Sequence, residues 1–542
     1  MLYFISKFYT LYLDFIFYTY TLYLYLGDVM SNRLARGSIL ILIGNIIFRI
    51  GGFVYRFLMG QLLGPSSYGI LSYTLQFQGI LQVLSAGGLP PAIAKYVAEY
   101  TAIDERALAR QTIYTSLKIM LFLGIVFGFL MVFFIAPYLT ALNPKMPGLL
   151  YPLQAVGFIV PFSVIVGAFR GAFQGVIKME YILATRATEQ ISMIVFATLL
   201  VLLGYSAFGA VMGSVIGFAA SAILSVIIFQ RYMWKYVPKP EVEYKFSIYE
   251  ELKLAKKMIF FAVPVTITAL AEMLIFAIST FVIAKLLGDT FTGYFGAADP
   301  ISRFPLIIST SLATTILPAV SAAFSTKNQN LLSKYVSQSY KYSMLVVIPM
   351  CIGISLFSTP ILQITFPRFL DAAPALSILV IGMTFYSLFA ISSSIVQGIG
   401  NPRIPMYVLV TGAIATFILN WVMVPIYGIV GGAIATTIAC FLIMIPILKM
   451  SFSLTNTKAP ISFIGKVIIS SLLMGLIILI IPNTVLGLIL GIIVCPIIYL
   501  VFLILLKSFS EEDINAIRRF SHKFGPLSNI INKILKIIER FI

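Results

Sequence analysis

The amino-acid sequence predicts an all-α polytopic membrane protein with about fourteen transmembrane helices. Of the 542 residues, 60% are hydrophobic and only 10% are charged, which lies far outside the soluble range. Apolar runs of about 20 residues, enough to cross a hydrocarbon core, recur along the whole chain. They lack the alternation of barrel strands, so helices must satisfy the backbone in lipid. An internal repeat then predicts two parallel six-helix lobes around a central cavity, plus two extra helices.

The predicted spans divide the chain into lobes. They lie at 35–63, 68–94, 112–136, 149–175, 181–203, 207–230, 258–286, 292–323, 340–358, 373–397, 404–426, 429–448, 461–481 and 485–506. The predicted parts are an aromatic leader at 1–29, an N-lobe at 30–230, a cytoplasmic linker at 231–257, a C-lobe at 258–449, the two extra helices within 450–507, and a basic tail at 508–542.

Landmarks of the first lobe recur in the second at a nearly constant offset. The Gly-x-x-x-x-Gly turn at 64–69 recurs at 288–293, 224 positions later (288 minus 64). Leu89-Pro90 recurs as Leu317-Pro318, with an offset of 228 (317 minus 89). Duplicated membrane halves are the usual architecture of carriers that alternate access to a site between two lobes. The repeat therefore indicates a transporter.

Charge and rare residues limit the function further. The net charge is +18, and the basic residues fall mainly in alternate predicted loops, so the positive-inside rule places both termini in the cytoplasm. Anionic lipid headgroups, rather than nucleic acid, explain most of this charge. The one histidine is His522, and the cysteines Cys351, Cys440 and Cys495 lie inside apolar runs. We therefore expect no metal site, no cofactor and no histidine-based catalysis.

The two ends of the chain are interpreted separately. Residues 1–29 are rich in Tyr, Phe and Leu, and Met30 directly precedes the first repeat unit. The leader is therefore either a misassigned start or an interfacial aromatic helix, and a signal peptide is the least favoured alternative. The tail after Ser510 alternates apolar and basic residues, which predicts an amphipathic helix on the anionic cytoplasmic leaflet, with a solvated tail as the alternative.

Polar residues in the first span form a stripe at helical spacing. Its members at i, i+4, i+7 and i+11 are Asn45, Arg49, Gly52 and Arg56. A charge inside an apolar span is costly and calls for a reason. A cationic cavity wall for a phosphate group, formed by Arg49 and Arg56 with Asn45, is one explanation. The alternative is an ion pair with an acid of another span, either Glu272 or Asp299.

Two further spans contain candidate residues. Asp299 and Arg303 are four residues apart on one helix face, and Pro300 between them predicts a kink. They form either a cavity wall for the substrate or a structural ion pair. Arg170 and Gln174, near the cytoplasmic end of the fourth span, are candidate gate residues, although Arg170 could instead anchor the topology.

Two acids are candidates for coupling transport to a cation or a proton. Glu272, in the seventh span, is the most isolated deep acid and therefore the first candidate. Glu189 is the second, but it lies three residues after Arg186, and a local ion pair between them is the favoured interpretation.

The motifs around these residues resemble those of the polysaccharide transporters, or Wzx-like oligosaccharide flippases. The stretches that carry the resemblance are Phe48 to Phe53, Leu63 to Gly69, Gly87 to Tyr96 and Val396 to Pro405. This group includes the sporulation protein B branch and lies within the multidrug/oligosaccharidyl-lipid/polysaccharide exporter superfamily. The resemblance covers roughly residues 31–507. It implies two six-helix lobes with two extra helices, and movement of lipid-linked sugars across the cytoplasmic membrane.

The lipid II flippases called MurJ are more distantly similar, and the sequence departs from their pattern at two places. By the resemblance, their Arg-Asp pair in the first span aligns onto Tyr55 and Arg56, so the acid is missing. Their Asp-Arg pair in the eighth span aligns onto Asp299 and Pro300, although Arg303 could substitute for the missing arginine. Lipid II is therefore not the first substrate that the sequence predicts.

Three functions compete at this point. A flippase for polyprenyl-linked oligosaccharides is favoured by about fourteen spans and by arginines in the predicted cavity. A cation-coupled multidrug exporter of the same superfamily would have twelve spans and an acidic cavity. A polyprenyl-sugar-dependent glycosyltransferase would need carboxylates in substantial external loops, and the predicted external loops are short.

Overall fold

The computed structural model describes residues 33–237 and 246–508, and the side chains among them from Gly51 onward, apart from Trp234. The predicted aromatic leader, the alternative start at Met30 and the predicted amphipathic tail with His522 lie outside the described residues. So do the side chains of Asn45 and Arg49, although their backbone is helical.

Helices make up the regular structure of the described residues. They are α1 (Arg33–Ala86), α2 (Leu89–Ala102), α3 (Arg106–Leu130), α4 (Ala136–Leu142), α5 (Leu150–Gly175), α6 (Met179–Leu200), α7 (Ser206–Tyr232), α8 (Ile248–Leu287), α9 (Asp289–Ser302), α10 (Leu306–Ser325), α11 (Gln329–Leu356), α12 (Ser358–Thr365), α13 (Ala373–Gly398), α14 (Arg403–Thr455), α15 (Ile461–Ile478) and α16 (Val485–Leu505). Five-residue π-helical segments at Met131–Ile135 and Val201–Tyr205 continue α3 into α4 and α6 into α7.

The prediction of an all-α polytopic membrane protein is confirmed, but the number of crossings stays a prediction. Ten helices within the described residues are long and apolar enough to span a membrane, and two of them, Met179–Tyr232 and Arg403–Thr455, have 54 and 53 residues. At about 1.5 Å per residue, each is more than twice as long as one crossing requires. Each must therefore turn back on itself.

Glycines lie at turns of this kind: Gly204 interrupts Met179–Tyr232 with φ 94° and ψ 3°, and two more glycines interrupt α1 and α14. Gly64 inside α1 has φ 73° and ψ 173°, and Gly428 inside α14 has φ 60° and ψ −136°. A residue with a Cβ is strained at such positive φ values, whereas glycine adopts them freely. The predicted connections after the first and eleventh spans are therefore reversals at one residue rather than loops.

The helices belong to two compact units. Unit 1 contains the chain up to Ala297 together with Ala413–Gly432, and unit 2 contains Ala298–Gly412 together with the chain from Ala433. The lobe boundaries that the sequence predicts remain predictions.

Each unit has its own apolar core. In unit 1, a cluster that includes Ile93, Met120, Phe173 and Met258 joins α2, α3, α5 and α8. In unit 2, a smaller cluster around Tyr340 and Ile395 joins α10, α11 and α13. The three cysteines are buried free thiols, as their positions in apolar runs predict. These cores fix the helices that carry the candidate residues.

Candidate functional site

Arg56 lies on a part of α1 that is anchored to α7. The neighbouring Tyr55 is buried, and its hydroxyl donates a hydrogen bond of 3.0 Å to the carbonyl oxygen of Ala210. Arg56 itself is half-buried and forms no salt bridge with any described side chain. The predicted ion pair of Arg56 with Glu272 or Asp299 is therefore not formed within the described part of the chain. The helical backbone continues through Asn45 and Arg49, and their predicted roles stay predictions.

Asp299 and Arg303 form the ion pair that their spacing allows. The Nη2 and Nε atoms of Arg303 both donate to Oδ1 of Asp299, at 2.6 Å and 3.0 Å. The Asp299 side chain is 8% exposed, whereas the Arg303 side chain is 34% exposed. The buried carboxylate thus holds a guanidinium group that still reaches the surface of unit 2.

The predicted kink at Pro300 stays a prediction, since Pro300 does not interrupt the helix. Pro300 lies inside α9, and the helix breaks instead at Arg303–Pro305, between α9 and α10. A proline disfavours helical conformation in the residue that precedes it, and here Phe304 precedes Pro305. The Asp299–Arg303 pair therefore lies at the end of a helix, immediately before the break.

Arg170 and Glu189 form a buried ion pair across two helices of unit 1. Nη2 of Arg170 lies 2.7 Å from Oε2 of Glu189, and the two side chains are 17% and 3% exposed. Arg170 also donates to the hydroxyls of Thr185 and Ser221, at 3.1 Å and 3.3 Å. The local pair of Glu189 with Arg186, which their spacing favours, stays a prediction, and Glu189 has a hydrogen-bonded partner on α5 as well. Spacing along α6 does not reveal a partner on another helix.

Gln174 and Glu272 are both exposed. Gln174 lies one turn after Arg170, close to the end of α5. Glu272 lies in the interior of the 40-residue helix α8 and is exposed there. An acid at this depth in an apolar helix is costly unless it reaches water or a partner. The gate role of Arg170 and Gln174 and the coupling role of Glu272 and Glu189 stay predictions.

The two repeat turns contact each other, a feature that the sequence interpretation did not predict. Gly69 of α1 and Gly293 of α9 bring the two backbones together: a Cβ at Gly69 would lie 2.8 Å from the Gly293 nitrogen, and still closer to the carbonyl oxygen of Asp289. In the reciprocal contact, a Cβ at Gly293 would collide with the carbonyl oxygen of Pro65. Pro65 and Asp289 are themselves 224 positions apart, so the contact follows the symmetry of the repeat. We call it the glycine crossing.

Polar contacts surround the glycine crossing. The hydroxyl of Ser66 donates to Oδ2 of Asp289 at 2.6 Å. Nζ of Lys145 donates to the carbonyl oxygen of Leu286 at 2.6 Å, close to the end of α8, and Lys285 donates to the carbonyl oxygen of Leu142 at the end of α4. Each ammonium therefore satisfies a carbonyl that has no partner inside its own helix, and complements the negative end of that helix. Because both lysines belong to loops predicted to be external, this end of unit 1 is predicted to face outward.

Comparison with known proteins identifies relatives of the chain. A family model described as polysaccharide biosynthesis protein matches residues 34–324, and one described as lipid II flippase MurJ matches residues 184–500. An uncharacterized membrane protein of Methanocaldococcus jannaschii is 28% identical, covering 72% of this chain and 91% of that protein. Lipid II flippase MurJ of Bacillus subtilis is 23% identical, covering 72% of this chain and 77% of that protein.

A solved structure confirms the fold. Lipid II flippase MurJ in an inward closed conformation superimposes with a TM-score of 0.68 at 18% identity, covering 86% of this chain and 98% of that structure. The helical arrangement that the repeat predicts is therefore one that membrane proteins adopt.

Proposed function

Because this chain belongs to the polysaccharide biosynthesis protein family, whose model covers more than half of it, we propose that it is a flippase for lipid-linked oligosaccharides. It moves polyprenyl phosphate or pyrophosphate sugars across the cytoplasmic membrane, with both termini in the cytoplasm, and it acts as a transporter rather than an enzyme. The family match over residues 34–324 is the observation that carries this proposal.

The arginines support an anionic headgroup. Arg56 is half-buried and forms no salt bridge within the described side chains, and Arg303 keeps about a third of its side chain exposed beside a buried carboxylate. A guanidinium is always charged and can bind two phosphate oxygens at once. Arg49 precedes Arg56 by seven residues on the same helix and is proposed to take part in the same site, together with Asn45.

Alternating access gives the glycine crossing a role. In the described state the crossing holds the turn inside α1 against the start of α9, on the side predicted to be external. A carrier must open that side to release its substrate. Because the two backbones touch directly, no side chain has to move when the helices come together. The contact is not covalent, so the helices can also separate. We therefore assign the crossing and the surrounding lysine contacts to an external gate.

Coupling is assigned to Glu272 rather than to Glu189. Glu189 is 3% exposed and is already bound by Arg170 at 2.7 Å, so its charge is neutralised within unit 1. Glu272 is exposed in the interior of α8, where it is accessible to a cation or a proton. Multidrug export coupled to a cation is the second candidate function, since an exposed deep acid would also attract a cationic drug.

Translocation in proteoliposomes tests the proposal. Arg56→Ala removes a charge-assisted contact of roughly 1.5–3 kcal/mol, so we expect engagement of a polyprenyl pyrophosphate sugar to weaken by about ten- to a hundredfold. Arg56→Lys should restore only part of it, because lysine supplies charge without the planar fork. Arg231→Ala, at the exposed end of α7, is the matched control and should change nothing.

Two outcomes would contradict the flippase proposal. One is a folded wild-type protein that moves no lipid-linked saccharide. The other is a protein that moves a cationic drug against a sodium or proton gradient but leaves the lipid-linked saccharide in place. A folded Arg56→Ala variant with normal translocation would remove Arg56 from the site without contradicting the flippase function.

A further inference from the structure

Helix α10 has one face that packs within unit 2 and an opposite face that carries three neighbouring hydroxyls. Within unit 2, α10 packs against α11 and α13. The buried positions repeat at helical spacing and are Leu306, Ser309, Ala313, Ile316, Val320 and Ala323. On the other face, Ser311 is half-buried, and Thr314 and Thr315 are exposed. Positions i, i+3 and i+4 lie side by side on a helix, so these three hydroxyls form one polar patch, which we call the hydroxyl patch.

The exposed large side chains of α15 and α16, also in unit 2, are aliphatic. On α15 and α16 the exposed large side chains include Ile468, Ile469, Leu472, Leu476, Leu486, Ile489, Leu490 and Ile493. Side chains of this kind suit lipid. A hydroxyl patch therefore indicates that this face of α10 meets something other than hydrocarbon.

The first repeat does not contain these hydroxyls. At the offset of 228 defined by the nearby Leu317-Pro318 landmark, Ser311, Thr314 and Thr315 correspond to residues 83, 86 and 87. Those residues are Val83, Ala86 and Gly87. The first repeat therefore has no hydroxyl at these positions, where α1 ends at Ala86 and the chain turns at Gly87.

Each hydroxyl of the patch donates its hydrogen to a backbone carbonyl of its own helix. Ser311 donates to the carbonyl oxygen of Ile307 at 2.6 Å, Thr314 to that of Ser311 at 2.8 Å, and Thr315 to that of Leu312 at 2.9 Å. A hydroxyl has one hydrogen to donate and two lone pairs to accept with. The patch therefore offers acceptors to a ligand that carries O–H or N–H donors, and its own donors remain satisfied when the ligand is absent.

Arg303 lies just before this patch in the chain, at the end of α9. Its side chain is 34% exposed and is held by Asp299. The break at Arg303–Pro305 thus joins a cationic group and a row of acceptors on consecutive helices. A phosphorylated sugar has the complementary chemistry, with an anionic phosphate at one end and hydroxyl or acetamido donors along the ring.

We propose that the hydroxyl patch Ser311, Thr314 and Thr315 binds the glycan moiety of the lipid-linked substrate, while Arg303 binds its phosphate. This inference rests on the proposed flippase function, and it assigns glycan recognition to α10.

The experiment compares two probe lipids with the full chain in detergent. One probe is a polyprenyl pyrophosphate, and the other is the same lipid bearing N-acetylglucosamine or glucose. The variants Thr314→Val and Thr315→Val each remove a hydroxyl and keep the branched side chain. Ser311→Ala removes the serine hydroxyl and keeps its Cβ. Thr411→Val is the matched control, because Thr411 is also exposed and also donates to its own helix, but lies on α14.

We expect each patch variant to weaken binding of the sugar-bearing lipids by roughly two- to tenfold, the effect of one hydrogen bond. Binding of the lipid without sugar should not change, and Thr411→Val should change neither. Arg303→Gln should weaken binding of every probe. Thermal stability, measured in parallel, separates lost recognition from lost folding, because a structural role would lower stability without distinguishing the probes.

The outcomes separate this inference from the proposed function. If the wild-type protein binds no polyprenyl probe, the proposed function and the patch fail together. If the wild type binds the probes with and without sugar equally well, or if the stable patch variants keep the preference for sugar, the patch inference fails and the flippase function stands.

Discussion

Alanine at Gly69 should open the predicted external end of unit 1. The new Cβ would lie 2.8 Å from the Gly293 nitrogen and closer still to the Asp289 carbonyl oxygen, whereas ordinary contacts begin at 3.4 Å. The colliding atoms are backbone, so no side-chain rotation relieves them. The helices α1 and α9 must move apart by more than the 0.6 Å (3.4 minus 2.8) that the nitrogen contact alone requires, because the carbonyl oxygen is closer still. Overpacking of this kind costs about 1–3 kcal/mol.

This overpacking energy should shift the equilibrium between the closed state, in which α1 and α9 touch, and an open state, in which they are apart. A state in which the two helix ends are apart does not contain the collision, so Gly69→Ala should favour it by roughly 5- to 150-fold. Gly293→Ala should act in the same direction, because the contact is reciprocal. Gly465→Ala is the control, since a Cβ at Gly465 meets nothing within 4 Å.

Thiol labelling measures the separation. Ser72 is 3% exposed and lies on α1 directly after the crossing, so a cysteine introduced there reacts with a maleimide only when the helix ends separate. The labelling rate of the Ser72→Cys protein should rise by the same 5- to 150-fold when Gly69→Ala is added. A disulfide between Ser66→Cys and Asp289→Cys should suppress it. A folded Gly69→Ala variant that labels at the wild-type rate would refute the assignment of the crossing to a gate.

Two other predictions concern the ion pair of unit 1 and the orientation of the chain. Arg170→Ala should destabilise the protein by about 3–5 kcal/mol, because it leaves the Glu189 carboxylate buried without its partner. Adding Glu189→Gln should restore much of the loss in a thermal unfolding assay, and an unchanged melting temperature for Arg170→Ala alone would show that the pair contributes little. Cysteines placed at Lys145 and Lys239 should label from opposite sides of the membrane, and labelling from one side would overturn the predicted topology.

The spacing of residues along the sequence predicted an ion pair when both residues lie on the same helix. Asp299 and Arg303 are four residues apart, and they do pair. The same reasoning assigned Glu189 to Arg186, but it did not reveal that Glu189 also bonds Arg170, nineteen residues away on α5. Periodicity along one helix cannot identify which neighbouring helix presents a charge, so contacts of this kind need the fold.

The glycine crossing is a second contact between helices that the sequence did not predict. The sequence identified both glycine turns as repeat landmarks, and it indicated a transporter from their spacing. That Gly69 and Gly293 would meet could not be predicted, because glycine has no side chain whose chemistry names a partner. The position of the helix break before Pro305, by contrast, follows from the Phe304-Pro305 dipeptide itself.

The single-glycine turns also decide how the protein can be approached by reagents. Gly64 and Gly428 reverse the chain within one residue, and both turns lie on the side predicted to be external. Turns this short contain no extended segment that a protease could cleave and no flexible loop that an antibody could bind. An affinity tag inserted there would break a helical hairpin rather than lengthen a loop. The segment between Leu356 and Ala373, with the short helix α12 inside it, is the better place for a fluorophore or a tag on that side.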